Sequence, residues 1–172
     1  MMRRFALLAL TLGALTACQT SPASPTTGTV DTHEAMVRWI NPAAMAIWDV
    51  SNNAMGETGG LDPALMDDAA WSKLGDAAQL LELHSRHMAE APTLHVGAHN
   101  DEIEGFATRA EIQAMIDADP DGFRRLSQDM AEHAGELAGA AAARNIQQSG
   151  NLAENLSERC QVCHSRYWEK PA

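Results

Sequence analysis

The chain contains little of what a β-sheet protein needs. Valine, isoleucine and tyrosine are scarce, aromatic residues make up only 5% of the 172 residues, and alanine is abundant instead. Valine, isoleucine and aromatic residues favour strands, whereas alanine has the highest helix propensity. We therefore predict an all-α protein with no strand pattern anywhere in the chain.

Cysteine is also scarce, since the chain has only Cys18, Cys160 and Cys163. Exported proteins use cysteine mostly for disulfides, and three cysteines leave no spare partners for a disulfide framework. A structural zinc site takes four ligands, and there is no second CxxC motif to complete one. A thioredoxin-like redox motif would be expected near a βαβ pattern, which is missing here.

Long apolar runs are absent apart from one near the N-terminus. Phe5 to Leu15 is apolar but too short to span a bilayer, and it follows Arg3 and Arg4. A basic start, a short apolar run and then small residues are typical of a secretory signal peptide. An ordinary signal peptide would leave Cys18 as a free thiol.

The residues from Leu15 to Cys18 instead resemble the lipobox of bacterial lipoproteins. This resemblance predicts a signal peptide over residues 1–17 and lipidation of Cys18, which would anchor the protein to a membrane. Gln19 is not the aspartate that often retains lipoproteins at the inner membrane, so we expect the outer membrane, facing the periplasm. Residues 18–30 are rich in Ser, Thr and Pro and predict a disordered tether, followed by one folded domain over residues 31–172.

Positive charge is in short supply, and the formal net charge is −11. Removing the signal peptide would make it more negative, because Arg3 and Arg4 are the only charged residues there. Such acidity excludes nucleic acid as a natural partner. It would attract a basic redox partner protein, and it also keeps an exported protein soluble.

What the sequence does have is helical periodicity. Apolar residues recur at spacings of three and four over four stretches, which are His33–Ala54, Asp67–Glu90, Gly122–Arg144 and Gln148–Trp168. One apolar face per stretch, with glycine- and proline-containing breaks between them, predicts an antiparallel up-down-up-down four-helix bundle. We expect a further short helix over Thr108–Ala118. Pro42 predicts a kink in the first helix or a late start of that helix.

The motif "CQVCH", Cys160 to His164, lies near the end of the last predicted helix. Residues three apart lie on one face of a helix. C-x-x-C-H is the signature of c-type haem attachment. The motif predicts that Cys160 and Cys163 form thioether bonds to a haem and that His164 ligates its iron. Zinc binding and a simple thiol pair remain as alternatives.

A bundle with one CxxCH near the end of its last helix resembles the cytochrome c-prime and cytochrome c556 family. The likeness extends over about residues 31–170 and is most specific in "DGFRRLSQDMAEHAGEL" and "LSERCQVCHSRYWEK". It implies one covalent haem c, with Cys160 and Cys163 as its attachment points and His164 as the proximal ligand. The family often has a basic residue four positions after that histidine, where this chain has Trp168; Arg166 lies two positions after it.

The distal side of the haem divides this family in two. A methionine from the first helix fills the sixth position in electron carriers, whereas an apolar residue leaves the iron open to small gases such as NO and CO. Met36 lies on the inner stripe of the first predicted helix, whereas Met45 would face inward only if Pro42 resets the helix. We therefore predict a monohaem electron carrier with His164 and Met36 as ligands, Met45 being the alternative ligand. Ligation by a second histidine, His95 or His99, is a further alternative to methionine. A five-coordinate gas-binding protein is the alternative function.

No acid, base or nucleophile constellation is evident, so we predict that the protein is not an enzyme. His133 lies on an inner stripe and is expected to be a core histidine. Spacings of three and four between other histidines suit either a second metal site or a solvated surface; these are His84, His87, His95 and His99. The resemblance also allows a homodimer formed through the first two helices.

Overall fold

The computed structural model describes residues 28–98 and 103–170. The predicted signal peptide, Cys18, most of the predicted tether and His99 lie outside these residues. Within them, no helix has both the length and the apolar character needed to cross a membrane.

Four long helical stretches form an antiparallel bundle, which confirms the predicted fold class. The first consists of α1 (Thr32–Ala35), a π-helical turn (Met36–Ile40) and α2 (Asn41–Asn53); the others are α3 (Asp68–Glu90), α5 (Pro120–Ala142) and α6 (Ile146–Tyr167). The short helix α4 (Arg109–Ala118) precedes α5, as predicted. The core lies between the helices and includes the fully buried side chains of Ile47, Leu74, Leu81, Leu137 and Leu156.

The first helical stretch does not start late at Pro42, because it begins at Thr32 and continues through this proline. It widens into the π-helical turn Met36–Ile40, where the Asn41 N–H donates to the Met36 carbonyl five residues back. Proline has no N–H to donate, and its ring crowds the carbonyl four residues before it. Such wider turns occur as single insertions inside α-helices and often mark functional sites. The chain therefore accommodates Pro42 without ending the helix.

The prediction that the chain has no strands is wrong. Strand β1 (Thr29–Asp31) pairs in parallel with β2 (Thr93–His95), and Val30, directly opposite Leu94, is only 5% exposed. Folded structure thus begins at least two residues before the predicted boundary at residue 31. Each strand has only three residues, which is too short to produce a visible alternation of apolar and polar side chains.

Side-chain caps explain why the long helices begin where they do. The carboxylates of Asp67 and Asp119 accept the Ala70 and Gly122 N–H groups at the starts of α3 and α5, and Asn145 caps α6 in the same way. Asp and Asn are among the preferred residues at this position. These caps fall at the breaks that the sequence predicted.

Candidate haem-binding site

The two cysteines of the CxxCH motif lie on the last turns of α6. Cys160 and Cys163 are half-buried, pack against the hydrophobic core and form no disulfide. Burial raises the pKa of the Cys160 thiol, and it raises the pKa of Cys163 to about 11, with a smaller contribution from the charge of Cys160. Both thiols are therefore protonated at neutral pH, unlike the low-pKa cysteines of disulfide-exchange sites.

His164 follows the second cysteine and is also half-buried. Burial lowers the pKa of its imidazole, opposed by the nearby carboxylate of Glu169, so the ring is neutral at neutral pH. A neutral imidazole has a lone pair free for a metal ion. Two protonated thiols three residues apart and an adjacent neutral imidazole fit a haem, since two vinyl groups and one iron position have to be satisfied.

Aromatic rings surround the end of α6. The Trp168 indole meets the His164 ring edge to face, with ring centroids 4.9 Å apart and an angle of 69° between the planes. Phe106, from the loop before α4, stacks on Trp168 at 4.3 Å and 21°. The Ala107 N–H also donates to the Trp168 carbonyl at 2.8 Å. The loop between α3 and α4 is thereby fastened to the histidine end of α6.

The start of α5 is joined to the same end of α6. The Tyr167 hydroxyl donates to the Asp119 carbonyl at 3.0 Å, and Arg166 forms an ion pair with the Asp119 carboxylate. The rings of Phe123 and Tyr167 meet edge to face at 5.2 Å. These contacts hold the turn that carries Cys163 and His164 in a fixed position relative to α5.

Contacts between neighbouring helices show which residues lie at the same height along the bundle. Trp39 stacks on His84, Glu82 lies beside Gly135, and the His133 ring contacts the Leu152 carbonyl. We count 1.5 Å per residue from these pairs along the axis of the bundle, in opposite directions on neighbouring helices. Along this axis, Met36 lies within about 8 Å of Cys160, whereas Met45 lies about 20 Å from Cys160.

Exposure separates the two predicted distal ligands in the same way. Met36 is half-buried and packs against the core, whereas the Met45 side chain is 54% exposed on the outside of the bundle. Two methionines that the sequence reasoning did not weigh as ligands, Met88 on α3 and Met130 on α5, lie near the height of Met36. Their positions on inner helical stripes were the available signal. The identity of the sixth ligand stays a prediction.

The remaining histidines have other neighbours. His133 is buried and its Nε2 lies 2.8 Å from the Leu152 carbonyl oxygen, as expected for a core histidine with a partner. His84 stacks on Trp39 on the outer face of the bundle. Over residues 28–98 and 103–170, no three His, Cys, Asp or Glu side chains converge as a metal site. His99, one member of the predicted histidine set, lies outside these ranges.

Comparison with known protein families gives a match. The family described as cytochrome C' matches residues 50–168, a span that includes α3 to α6 and the whole CxxCH motif. Neither a curated protein nor a solved structure matches the chain. The matched span starts after both Met36 and Met45, so it contains the CxxCH motif but not the part of the first helical stretch that carries the two predicted distal ligands.

Proposed function

Because the chain belongs to the cytochrome c' family, we propose that it binds small gases such as NO or CO at an open haem position. The family carries one covalent c-type haem, and its members are non-enzymatic periplasmic proteins. The observation that carries the proposal is the match over residues 50–168, because cytochromes c' are typically five-coordinate. This differs from the electron carrier that the sequence favoured.

In this function each residue of the motif has one task. Cys160 and Cys163 would attach the haem, and His164 would hold its iron from one side. The haem would supply the redox-active iron and a position at which a gas can bind. The contacts of Tyr167, Phe123 and Asp119 would keep the attachment turn rigid.

A second candidate is electron transfer with Met36 as the sixth ligand. It is favoured by the half-burial of Met36 and by its height within about 8 Å of Cys160. Methionine ligation raises the reduction potential of a haem. The acidic surface would then attract a basic redox partner. Association of two copies through the first two helices is compatible with either function.

The attachment to a membrane is a separate proposal. We propose that residues 1–17 are removed, that Cys18 is lipidated, and that the tether holds the domain at the periplasmic side of the outer membrane. Labelled palmitate should be incorporated by the full chain and not by a Cys18→Ser variant. Equal labelling of both proteins would contradict this proposal.

The visible spectrum distinguishes the two functions. Protein expressed with a cytochrome c maturation system should be high-spin, and its reduced spectrum should shift at once with carbon monoxide. A low-spin spectrum indifferent to carbon monoxide would overturn the gas-binding proposal. Met36→Ala should then restore carbon monoxide binding, whereas the matched variant Met45→Ala should leave the spectrum unchanged. Protein without covalent haem would overturn both functions.

A further inference from the structure

Trp168 is the first residue after α6 and lies four residues after His164, and its ring contacts the ring of that histidine. We propose that Trp168, supported by Phe106, is a positioning residue that fixes the orientation of the His164 ring and keeps water away from it. This inference goes beyond gas binding but rests on His164 being the haem ligand. The edge-to-face contact at 4.9 Å is its starting observation.

Hydrogen bonds hold the backbone of Trp168 in place. The Trp168 backbone N–H donates to the His164 carbonyl at 2.8 Å, and the Trp168 carbonyl accepts the Ala107 N–H at 2.8 Å. The next residue, Glu169, forms an antiparallel bridge with Phe106 and accepts a hydrogen bond from the Gln161 side chain at 2.6 Å. These contacts fix the Trp168 backbone, so its ring can leave His164 only by rotating out of the stack with Phe106.

Phe106 is held just as firmly by the turn that carries it. Gly105 has a φ of 92°, a conformation that glycine adopts easily, and the Phe106 N–H donates to the Ile103 carbonyl at 3.1 Å. Two residues later, Thr108 and Glu111 form a reciprocal capping box at the start of α4. The stacking of Phe106 on Trp168 is thus fixed by a short turn and a helix cap.

The tryptophan takes a place that is normally filled differently. A metal-bound histidine almost always donates its second ring N–H to a carboxylate, a carbonyl or water, and that bond sets the ring orientation. In the part of the chain that the structure describes, no residue accepts a hydrogen bond from the His164 ring. Here the ring contact with Trp168 is the restraint that the fold provides, and an indole excludes water where a basic side chain would attract it.

The test compares variants of the haem-loaded full chain. Trp168→Ala should lower the midpoint potential, because water reaching the histidine side stabilises the more highly charged oxidised state. It should also broaden the electron paramagnetic resonance spectrum of the ferric protein, because the His164 ring then adopts several orientations. Trp168→Phe, which keeps an aromatic ring, should have a midpoint potential and a spectrum close to those of the wild type. Trp168→Leu keeps an apolar side chain and should keep the fold, but it should still broaden the spectrum.

The matched control is Trp39→Ala, because Trp39 also contacts a histidine, His84, at a similar distance of 4.8 Å. This variant should change neither the potential nor the spectrum. A wild-type potential and spectrum in both Trp168→Ala and Trp168→Leu would overturn the inference, and so would equal shifts in Trp39→Ala. Carbon monoxide titration of the wild type separates this test from the proposed function. A closed sixth position would end the gas-binding proposal and leave the comparison of Trp168 variants readable.

Discussion

Two tryptophan–histidine pairs in the described part of the chain differ in almost everything except distance. Trp39 and His84 stack at 4.8 Å with planes 12° apart, on the outside of the bundle, and Trp39 is 47% exposed. Trp168 and His164 meet at 4.9 Å and 69°, beside the two cysteines. Residue types and the distance between the rings would not by themselves show which of the two pairs belongs to the candidate site. Their surroundings make one a surface contact and the other part of a site.

What supports each pair explains the difference. The outer pair is carried by the first helix and α3, which are also joined by an exposed ion pair between Lys73 and Asp49 about three turns away. The pair at the end of α6 is enclosed by a separate loop that adds a stacked ring and a backbone hydrogen bond. A ring contact braced by a second segment can hold one orientation, whereas an exposed stack is free to separate.

The largest contrast should come from removing each histidine. His164→Ala should take away the proposed proximal ligand and change the visible spectrum of the haem protein, even where the thioether bonds still form. His84→Ala should leave the spectrum as it is, because this ring lies on the outer face. Absorption spectra of the oxidised and reduced variants test this. An unaltered spectrum in His164→Ala would remove the basis for treating the two pairs differently.

The next largest effect should come from removing the Phe106 ring that stacks on Trp168. Phe106→Ala removes the ring stacked on Trp168 and should lower the free energy of unfolding by about 1–2 kcal/mol, as expected for a half-buried aromatic pair. Urea unfolding measures this change. Ile103→Ala is the matched control, because Ile103 lies in the same loop with 54% of its surface exposed. Equal losses in both variants would show that the stack adds nothing specific.

A smaller, pH-dependent effect should appear at Asp119. The Gly122 N–H, and then the charge of Arg166, lower the pKa of this carboxyl. A lowered folded-state pKa means that the ionised form stabilises the fold at all pH values above its ordinary pKa of about 3.9, and that this stability disappears as pH falls through the lowered value. Asp119→Asn should therefore lower Tm at neutral pH, and the difference should shrink below about pH 4.

Thermal melts of wild type and Asp119→Asn between neutral and acidic pH test this prediction. Asp121→Asn, two residues further on, is the matched control, because its carboxylate is 83% exposed and its ion pair with Arg124 is at 3.3 Å. We expect little change from it at any pH. A Tm difference for Asp119→Asn that grew on acidification would have the wrong sign and would refute the assignment.

The smallest effect should be on the outer side of the bundle. Lys73→Met breaks the exposed ion pair with Asp49, and such pairs contribute little because water screens them and the side chains lose freedom. The shift in Tm should be too small to resolve, and the haem spectrum should not change. A clear loss of stability would mean that this exposed ion pair contributes to stability as much as the contacts at the end of α6 do.

Much of the fold was predictable because it depends on local patterns. The apolar spacing in α3 and α5 and the caps at Asp67 and Asp119 all leave signals within a few residues. The pairing of β1 with β2 and the stacking of Phe106 on Trp168 join residues far apart in the chain, and three-residue strands carry no periodicity. The π-helical turn was only hinted at by Pro42.

The candidate site divides along the same line. Cys160, Cys163 and His164 are neighbours in sequence, so a motif identifies them and a helix places them together. The distal side depends on how the first helix is set against α6, and sequence spacing could rank Met36 above Met45 only through an assumed bundle. The aromatic cover of His164 needed the folded chain, because Trp168 reads in the sequence as a mere departure from the basic residue of the family.

The parallel pairing of β1 with β2 places the first described residues at one end of the bundle. β2 follows the end of α3, the Arg124 side chain on α5 donates to the carbonyls of Ala91 and Pro92 at 3.2 and 3.3 Å, and Tyr167 donates to the Asp119 carbonyl. The first described residues therefore lie at the pole of the bundle where α6 ends. If Cys18 is lipidated as proposed, a short tether attached there would keep the end of the bundle with the CxxCH motif close to the membrane. The opposite end of the bundle would then face away from the membrane.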